Sequence, residues 1–244
     1  MIFCTLCLHF TKSIIPSNFQ KEELGSLGGL LSGVVGSMYA VLVGFVLMFL
    51  LGNFNKTKDT VASESIILMR LADTINWLPP SVKSDIYPDI KNYTKDIITN
   101  EWTLMKNGEK IDNQVLSYLQ NIIKIVKAYE GKDSMQLFIK QKIFNEIQDL
   151  YTVRYNRIKM SYFSLNIPYW TIIFIMTIIN LILVCMLGTK LYLHKILVML
   201  VCITSASMIF LIFILDKPFR GEFAVDQTDL QNAISYINNT IAVF

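Results

Sequence analysis

The feature that most constrains this chain is an uncharged stretch of 32 residues, from Leu24 to Asn55. An α-helix needs only about 20 apolar residues to cross a bilayer, so this stretch predicts a membrane span. Small residues recur through it at every fourth position, which places them on one helical face. They are Gly28, Ser32, Gly36, Ala40 and Gly44. A second backbone can approach such a strip closely, so the strip predicts packing against another helix; lining of a pore is the alternative.

The composition supports a membrane protein and argues against several other classes. Hydrophobic residues make up 53% of the 244, too many for an ordinary soluble domain. The net charge is only +3, without a basic run carrying aromatic residues, so we expect no nucleic-acid binding. Cys4, Cys7 and His9 lack a second ligand pair for a tetrahedral zinc site, so we expect no metal. Without a nucleophile–base pair or a phosphate-binding glycine loop, we also expect no enzyme activity and no cofactor.

The segment after Asn55 is rich in charge, and its apolar residues recur at three- and four-residue steps. This pattern predicts four amphipathic helices. The first continues the span outward, because no helix breaker lies between Gly52 and Trp77, and Pro79-Pro80 ends it. The second runs from about Ser81 to Lys106, and Pro88 within it predicts either a kink or a later start.

N-capping residues mark the other two helices of this insert. Asp112 is the candidate N-cap of the third helix, and Asp133 or Ser134 that of the fourth. The periodicity assigns Phe138 and Ile139 to the inward face of the fourth helix. The insert is therefore predicted to be a four-helix domain with a shared core.

Two further uncharged runs predict a transmembrane hairpin. Charge is absent from Met160 to Thr189 and again from Ile196 to Leu215, with a turn near Gly188. An amphipathic helix beginning near Thr228 closes the chain. The predicted fold is an all-α integral membrane protein with three transmembrane helices. The predicted boundaries are 1–23 (short N-terminal segment), 24–55 (first span), 56–165 (helical domain), 166–215 (hairpin) and 216–244 (turn and amphipathic helix).

The distribution of basic residues predicts the orientation. Three spans place the insert and the tail on one side, with seven basic residues near the membrane: Lys56, Lys58, Arg154, Arg157, Lys159, Lys217 and Arg220. The other side carries four: Lys12, Lys21, Lys190 and Lys195. Because positive residues concentrate on the cytoplasmic side, we expect a plasma (inner) membrane protein whose helical domain is cytoplasmic.

Polar residues inside the spans are few. No acidic or basic side chain lies at the centre of a span, which argues against a proton-coupled pump. Asn180 is the most polar group deep in a span. It predicts either an interhelical hydrogen bond or a pore-lining position.

Two stretches resemble a known family. The first is Val61-Ala62-Ser63-Glu64 followed by Leu78-Pro79, Tyr93, Glu101-Trp102, Met105 and Gly108; the second is Leu215-Asp216-Lys217-Pro218-Phe219-Arg220-Gly221. Together they resemble the bestrophin-like domain-of-unknown-function family of integral membrane proteins. The resemblance covers about Gly29 to Tyr236, and the Asp216–Gly221 stretch is its most specific part.

The resemblance implies an oligomeric channel. Bestrophins, the distant kin of this family, are oligomeric anion channels with four spans per subunit and a helical cytosolic region. Members of the family look as if they have four spans, whereas Ile2 to Phe10 is too short to supply one here. The three-span prediction for this chain departs from the family at that point.

The matching residues also have an interpretation of their own. Pro218 blocks further helix after Asp216, and Gly221 supplies a turn. Arg220 is expected to meet lipid phosphate or an acidic partner such as Glu64 or Glu101. Glu64 itself is expected to be a solvated carboxylate, or one of a ring around an oligomer axis, and Trp102 to lie in the core.

Two functions remain open from the sequence. The first is an oligomeric, bestrophin-like membrane channel for ions, anions by resemblance. The alternative is a non-conducting, membrane-anchored helical module that binds a cytoplasmic protein partner. Both imply contact with membrane lipid and a homo-oligomer.

Overall fold

The computed structural model describes the backbone of residues 21–131, 133–186 and 192–242, and the side chains of 28–131, 133–185 and 195–240. These ranges contain helices and no strand. Three helices are long and apolar enough to cross a membrane: Gly28–Ile75, Ile167–Cys185 and Lys195–Leu215. The all-α fold with three transmembrane helices is thereby confirmed. Residues 1–20 of the predicted N-terminal segment, with Cys4, Cys7 and His9, and the turn near Gly188 lie outside the described residues.

The chain divides into two compact units. The spanning unit comprises Met1–Leu51 and Ser164–Asp216, and the helical unit comprises Gly52–Phe163 and Lys217–Phe244. The tail therefore groups with the insert, although more than fifty residues of hairpin separate them in the chain.

Helix α1 runs without a break from Lys21 to Ile75, a length of 55 residues. At about 1.5 Å per residue it is about 80 Å long, far more than a bilayer core requires. The predicted continuation of the span beyond Asn55 is confirmed. The helix ends just before Pro79 and Pro80, whose rings cannot continue it.

The helical unit contains the remaining elements outside the spans. They are α2 (Pro80–Asp96), a π-helical turn (Ile97–Glu101), α3 (Trp102–Asn107), α4 (Leu116–Ala128), α5 (Ser134–Ser161) and α8 (Thr228–Ala242). Proline at the first position of α2 suits a helix start, because the N–H it lacks has no helical partner there. Pro88 lies inside α2, so the alternative of a later start is wrong. Gly108, with φ +72°, ends α3.

The core of the helical unit is largely aliphatic. Its fully buried side chains include Leu68, Leu71 and Ile75 of α1, Ile86 and Ile90 of α2, Leu119 and Ile122 of α4, Ile143 and Ile147 of α5, and Leu230 and Ile237 of α8. The amphipathic tail helix predicted to begin near Thr228 does begin there and buries its apolar face in this core.

Two sequence predictions about the insert are wrong in detail. Asp112 does not cap α4, which begins at Leu116; its carboxylate accepts the N–H of Gln114 in the preceding turn (3.1 Å). Asp133 does cap α5, accepting the N–H of Gln136 at 2.7 Å. Phe138 is 57% exposed, because in the first turns of α5 Ile139 faces the core and Phe138 does not.

The spanning unit combines the first part of α1 with α6 (Ile167–Met186) and α7 (Tyr192–Leu215). The Tyr39 and Thr177 hydroxyls are 3.1 Å apart, joining α1 to α6. The Asp216 carboxylate, just after α7, accepts the N–H of Leu165 before α6. That bond satisfies a backbone donor at the start of α6, which would otherwise lack a partner.

Neighbouring residues of α5 allow a matched test of the core. Ile139→Ala should lower the free energy of unfolding by about 2–5 kcal/mol, because Ile139 is buried and its removal leaves a cavity. Phe138→Ala should cost far less, because Phe138 is exposed. Thermal unfolding of both variants in detergent measures the difference, and equal losses would contradict the described face of α5.

Candidate functional site

Four charged side chains meet in the interior of the helical unit. Glu64 lies on α1, Glu101 in the π-helical turn, and Arg154 and Arg157 on α5. All four are at most 4% exposed. We call these four residues the buried charge cluster. Its two arginines and two glutamates balance, which is the condition under which charge is tolerated in a protein interior.

Arg157 is the centre of the buried charge cluster. Its Nε donates to Glu64 Oε2 at 2.5 Å, and its Nη2 donates to Glu64 Oε1 at 3.2 Å. The same Nη2 donates to Glu101 Oε2 at 2.6 Å. Arg157 therefore joins α1 to the π-helical turn from a position on α5. The Met105 sulfur lies 3.4 Å from Nη1 and covers that side of the guanidinium.

Arg154 completes the pairing of Glu101. Its Nε donates to Glu101 Oε1 at 2.9 Å, and its Nη2 donates to the same oxygen. Nη2 also donates to the carbonyl of Asp112 at 3.0 Å, fastening the loop before α4. Both Glu101 oxygens are thus engaged by arginines one helical turn apart on α5.

Burial and ion pairing shift the pKa values of Glu64 and Arg157 in opposite directions. Burial raises the pKa of Glu64, and the Arg157 guanidinium opposes that rise. The two carboxylates raise the pKa of Arg157 above its ordinary value despite burial, so it stays charged. Burial raises the pKa of Tyr93 well above its ordinary value, and its hydroxyl has no hydrogen bond within the described residues.

Residues 218–221 form what we call the tail motif, and its Phe219 and Arg220 lie against residues 102–108, which follow Glu101. Phe219 is 1% exposed and meets the Trp102 ring edge to face, with ring centroids 5.4 Å apart. The Arg220 guanidinium lies directly against Gly108, where a Cβ would collide with it. Gly221 has φ +90°, and the chain then folds back so that the N–H of Val225 donates to the Pro218 carbonyl at 2.8 Å.

The structure corrects three expectations about these residues. Glu64 is neither solvated nor free to join a ring of carboxylates, because it is fully buried against Arg157. Arg220 pairs with neither Glu64 nor Glu101, which Arg154 and Arg157 already hold. Its guanidinium lies instead against Gly108, at the carbonyl end of α3, where a positive charge is favourable.

The buried charge cluster also changes the orientation argument. Arg154 and Arg157 neutralise buried carboxylates and are not surface charges at a membrane edge. Without them the insert side has five basic residues near the membrane against four on the other. The charge distribution alone therefore favours neither side strongly.

Sequence reasoning missed the arginine pairs, although a signal for them exists. Arg154 and Arg157 continue the three- and four-residue steps of Ile147 and Leu150 along the inward face of α5. Glu64 likewise falls in step with the apolar residues of α1 that line the core. Charged residues of opposite sign on apolar faces predict buried pairs, since neither can be buried alone. Trp102, expected in the core, is 2% exposed and confirmed there.

The small-residue strip of α1 lies outside this site, in the spanning unit. Gly28, Ser32, Gly36 and Gly44 are partly buried, and Ala40 is exposed. A Cβ added at Gly36 would lie 3.6 Å from Asn180 Oδ1 on α6, whereas one added at Gly44 would meet nothing within 4 Å. Asn180 is 8% exposed and makes no hydrogen bond within the described residues, so the expected interhelical bond is not formed there.

The side-chain contacts of this site hold helices in place. Within the described ranges, no three His, Cys, Asp or Glu side chains group closely enough to hold a metal ion. Every carboxylate oxygen of the buried charge cluster accepts from an arginine. Such an arrangement fixes α1, the π-helical turn and α5 relative to one another.

Comparison with known proteins identifies the family. A family model described as "Bestrophin-like domain" matches residues 1–230. The chain belongs to the bestrophin-like family. Its fold is also similar to that of a bacterial Bestrophin homolog from Klebsiella pneumoniae, solved as a point mutant, at TM-score 0.73 and 12% identity over 98% of both chains. A second point mutant of that homolog gives TM-score 0.73 and 13% identity over 99% of this chain and 98% of that one.

A third solved structure, described only as a mutated membrane protein, gives TM-score 0.74 and 13% identity over 98% of this chain and 97% of the other. No curated protein matches the chain. At such identities the structural likeness shows the bestrophin-like fold along nearly the whole chain. The residues matched by the family model include the buried charge cluster and the tail motif.

The buried charge cluster should be sensitive to loss of one charge. Glu101→Gln should lower the free energy of unfolding by about 3–5 kcal/mol, because Arg154 and Arg157 would then face a single carboxylate away from water. Asp149→Asn is the control, since its pair with Arg70 is half exposed and worth at most about 1 kcal/mol. Chemical unfolding in mild detergent compares the two; similar losses would contradict a buried cluster.

Alanine substitutions at Gly108 and Gly221 distinguish the stability cost of backbone strain from that of a steric clash. Alanine at either should cost about 1–2 kcal/mol, because both have positive φ. Gly108→Ala should cost more, because its Cβ must also displace Arg220. Adding Arg220→Ala should remove this excess and leave the cost of Gly221→Ala unchanged. Thermal unfolding of the single and combined variants tests this, and an excess that persists without Arg220 would contradict the contact.

Proposed function

We propose that this protein is the subunit of an oligomeric ion channel that prefers anions. The single observation that carries the proposal is membership of the bestrophin-like family together with a bestrophin fold along nearly the whole chain. The buried charge cluster supports it, because a helix that forms a conduction path must be held rigidly where it leaves the membrane.

The exposed surface of α1 supplies a second line of support. Exposed positions follow at three- and four-residue steps from Val41 to Asp73, except at the partly buried Ala62, and make up one stripe. They are Val41, Phe45, Met48, Gly52, Asn55, Asp59, Ile66, Arg70 and Asp73. Contact with lipid would account only for the exposure of the first residues in this stripe, which lie within the span. A stripe that continues beyond the span, with Ile66 still 56% exposed, suits a helix facing neighbouring subunits or a shared axis.

The row of small residues beside the strip supports oligomerisation. At Gly33, in that row, an added Cβ would meet no atom within 4 Å, so close approach of another backbone is open there. In lipid no hydrophobic effect drives helices together, so they associate through dispersion contacts at such surfaces. The partners implied are therefore further copies of this chain and the surrounding lipid.

We also propose that the helical unit is cytoplasmic, in a plasma (inner) membrane. The support is the family relation. A cytoplasmic protein partner of the helical unit is part of the alternative function, that of a non-conducting anchored module.

Recording in planar bilayers tests the channel. The purified oligomer should conduct, and its reversal potential in asymmetric KCl should show anion preference. Ile66→Glu should reduce that preference, because it adds a negative charge to the exposed stripe. Met135→Glu is the control, since Met135 is equally exposed but lies on α5. Silence across voltage, calcium and pH, or a native mass of only one or two subunits, would favour the anchored module instead.

A further inference from the structure

A cleft opens among the three helices of the spanning unit. It encloses about 370 Å³, within the range of roughly 300–1,000 Å³ typical of small-molecule sites. Its walls are Tyr39, Ala40, Val43, Gly44 and Leu47 of α1, Asn180 of α6, and Val201, Thr204, Ser205 and Met208 of α7. The cleft is separate from the buried charge cluster and from the tail motif.

Two polar side chains that line this cleft form no hydrogen bond with any described residue. Asn180 is 8% exposed and Ser205 is 5% exposed, and neither makes a hydrogen bond within the described residues. By contrast, Thr204 donates to the Leu200 carbonyl at 3.1 Å. Their polar atoms are not fully enclosed, so the cleft offers accessible donors and acceptors that bond to no described residue.

Small residues of α1 keep the cleft open. A Cβ added at Gly44 would meet nothing within 4 Å, and Ala40 beside it is exposed. A Cβ added at Gly36, one turn before Ala40, would lie 3.6 Å from Asn180 Oδ1. The space therefore begins where the packing of α1 against Asn180 ends.

The chemistry of the walls selects the occupant. Val43, Leu47, Val201 and Met208 are apolar, and no acidic or basic side chain lines the cleft among the described residues. An ion would be costly there, because nothing in the walls balances its charge at membrane depth. The Asn180 amide and the Ser205 hydroxyl can each both donate and accept, which matches a hydroxyl group.

We infer that this cleft binds a small uncharged amphiphile, with a hydrocarbon body against the aliphatic walls and one hydroxyl group bonded to Asn180 or Ser205. The hydrocarbon body gains by filling the space, and the hydroxyl satisfies polar groups that the chain leaves unpaired. This binding does not depend on conduction, so a failed recording would not bear on it.

Photolabelling of the full chain in phosphatidylcholine nanodiscs tests the site, with 3-azioctanol as the probe. Label should concentrate on the cleft-lining parts of α6 and α7, and 1-octanol should compete for it better than n-octane does. Gly44→Leu should abolish the concentrated label, because the new side chain fills the space. Asn180→Leu should weaken competition by 1-octanol about five- to tenfold, the worth of one lost hydrogen bond.

Gly33→Leu is the matched control. It adds the same side chain to the same helix at a glycine that does not line the cleft, so the label should persist. Size-exclusion profiles check that each variant is folded. Label spread evenly over the lipid-facing surfaces, or unchanged by Gly44→Leu, would overturn the inference. So would label that appears only after dissociation, since a second copy would then fill the cleft.

Discussion

The helical unit depends on two arginines that neutralise two glutamates away from water. Arg157 contacts Glu64 on the long helix and Glu101 in the π-helical turn, while Arg154 holds the other oxygen of Glu101. Charges so placed are favourable only when all are present and aligned. The relative positions of α1, the π-helical turn and α5 are therefore fixed by directional bonds in addition to aliphatic packing. That directionality matters most for α1, because the same helix crosses the membrane.

The tail motif is packed onto the same region of the helical unit. Phe219 meets Trp102, which follows Glu101 directly, and Arg220 covers Gly108 at the end of the same short helix. Residues more than a hundred positions apart in the chain therefore share one neighbourhood. These contacts depend on one another: the missing side chain of Gly108 leaves room for Arg220, and the Trp102 and Phe219 rings pack edge to face.

The spanning unit follows different physical rules. Its polar contacts are few, such as the one between Tyr39 and Thr177, and Asn180 and Ser205 are left unpaired within the described residues. Lipid provides no hydrogen bonds to such groups, so they gain from a ligand or another helix. The small-residue strip on α1 and the cleft beside it have one cause in the sequence, which is small residues at positions where larger side chains would fill the space.

Local patterns in the sequence determined most of the architecture. Runs without charge located the spans, prolines ended helices, and apolar periodicity located the core, because each depends on residues within a few positions of one another. Only the tertiary structure decided that Glu64 is buried, that Asp112 caps no helix and that Phe138 faces outward. The fate of a charge depends on which distant side chain meets it, and helical spacing alone does not name a partner from another helix.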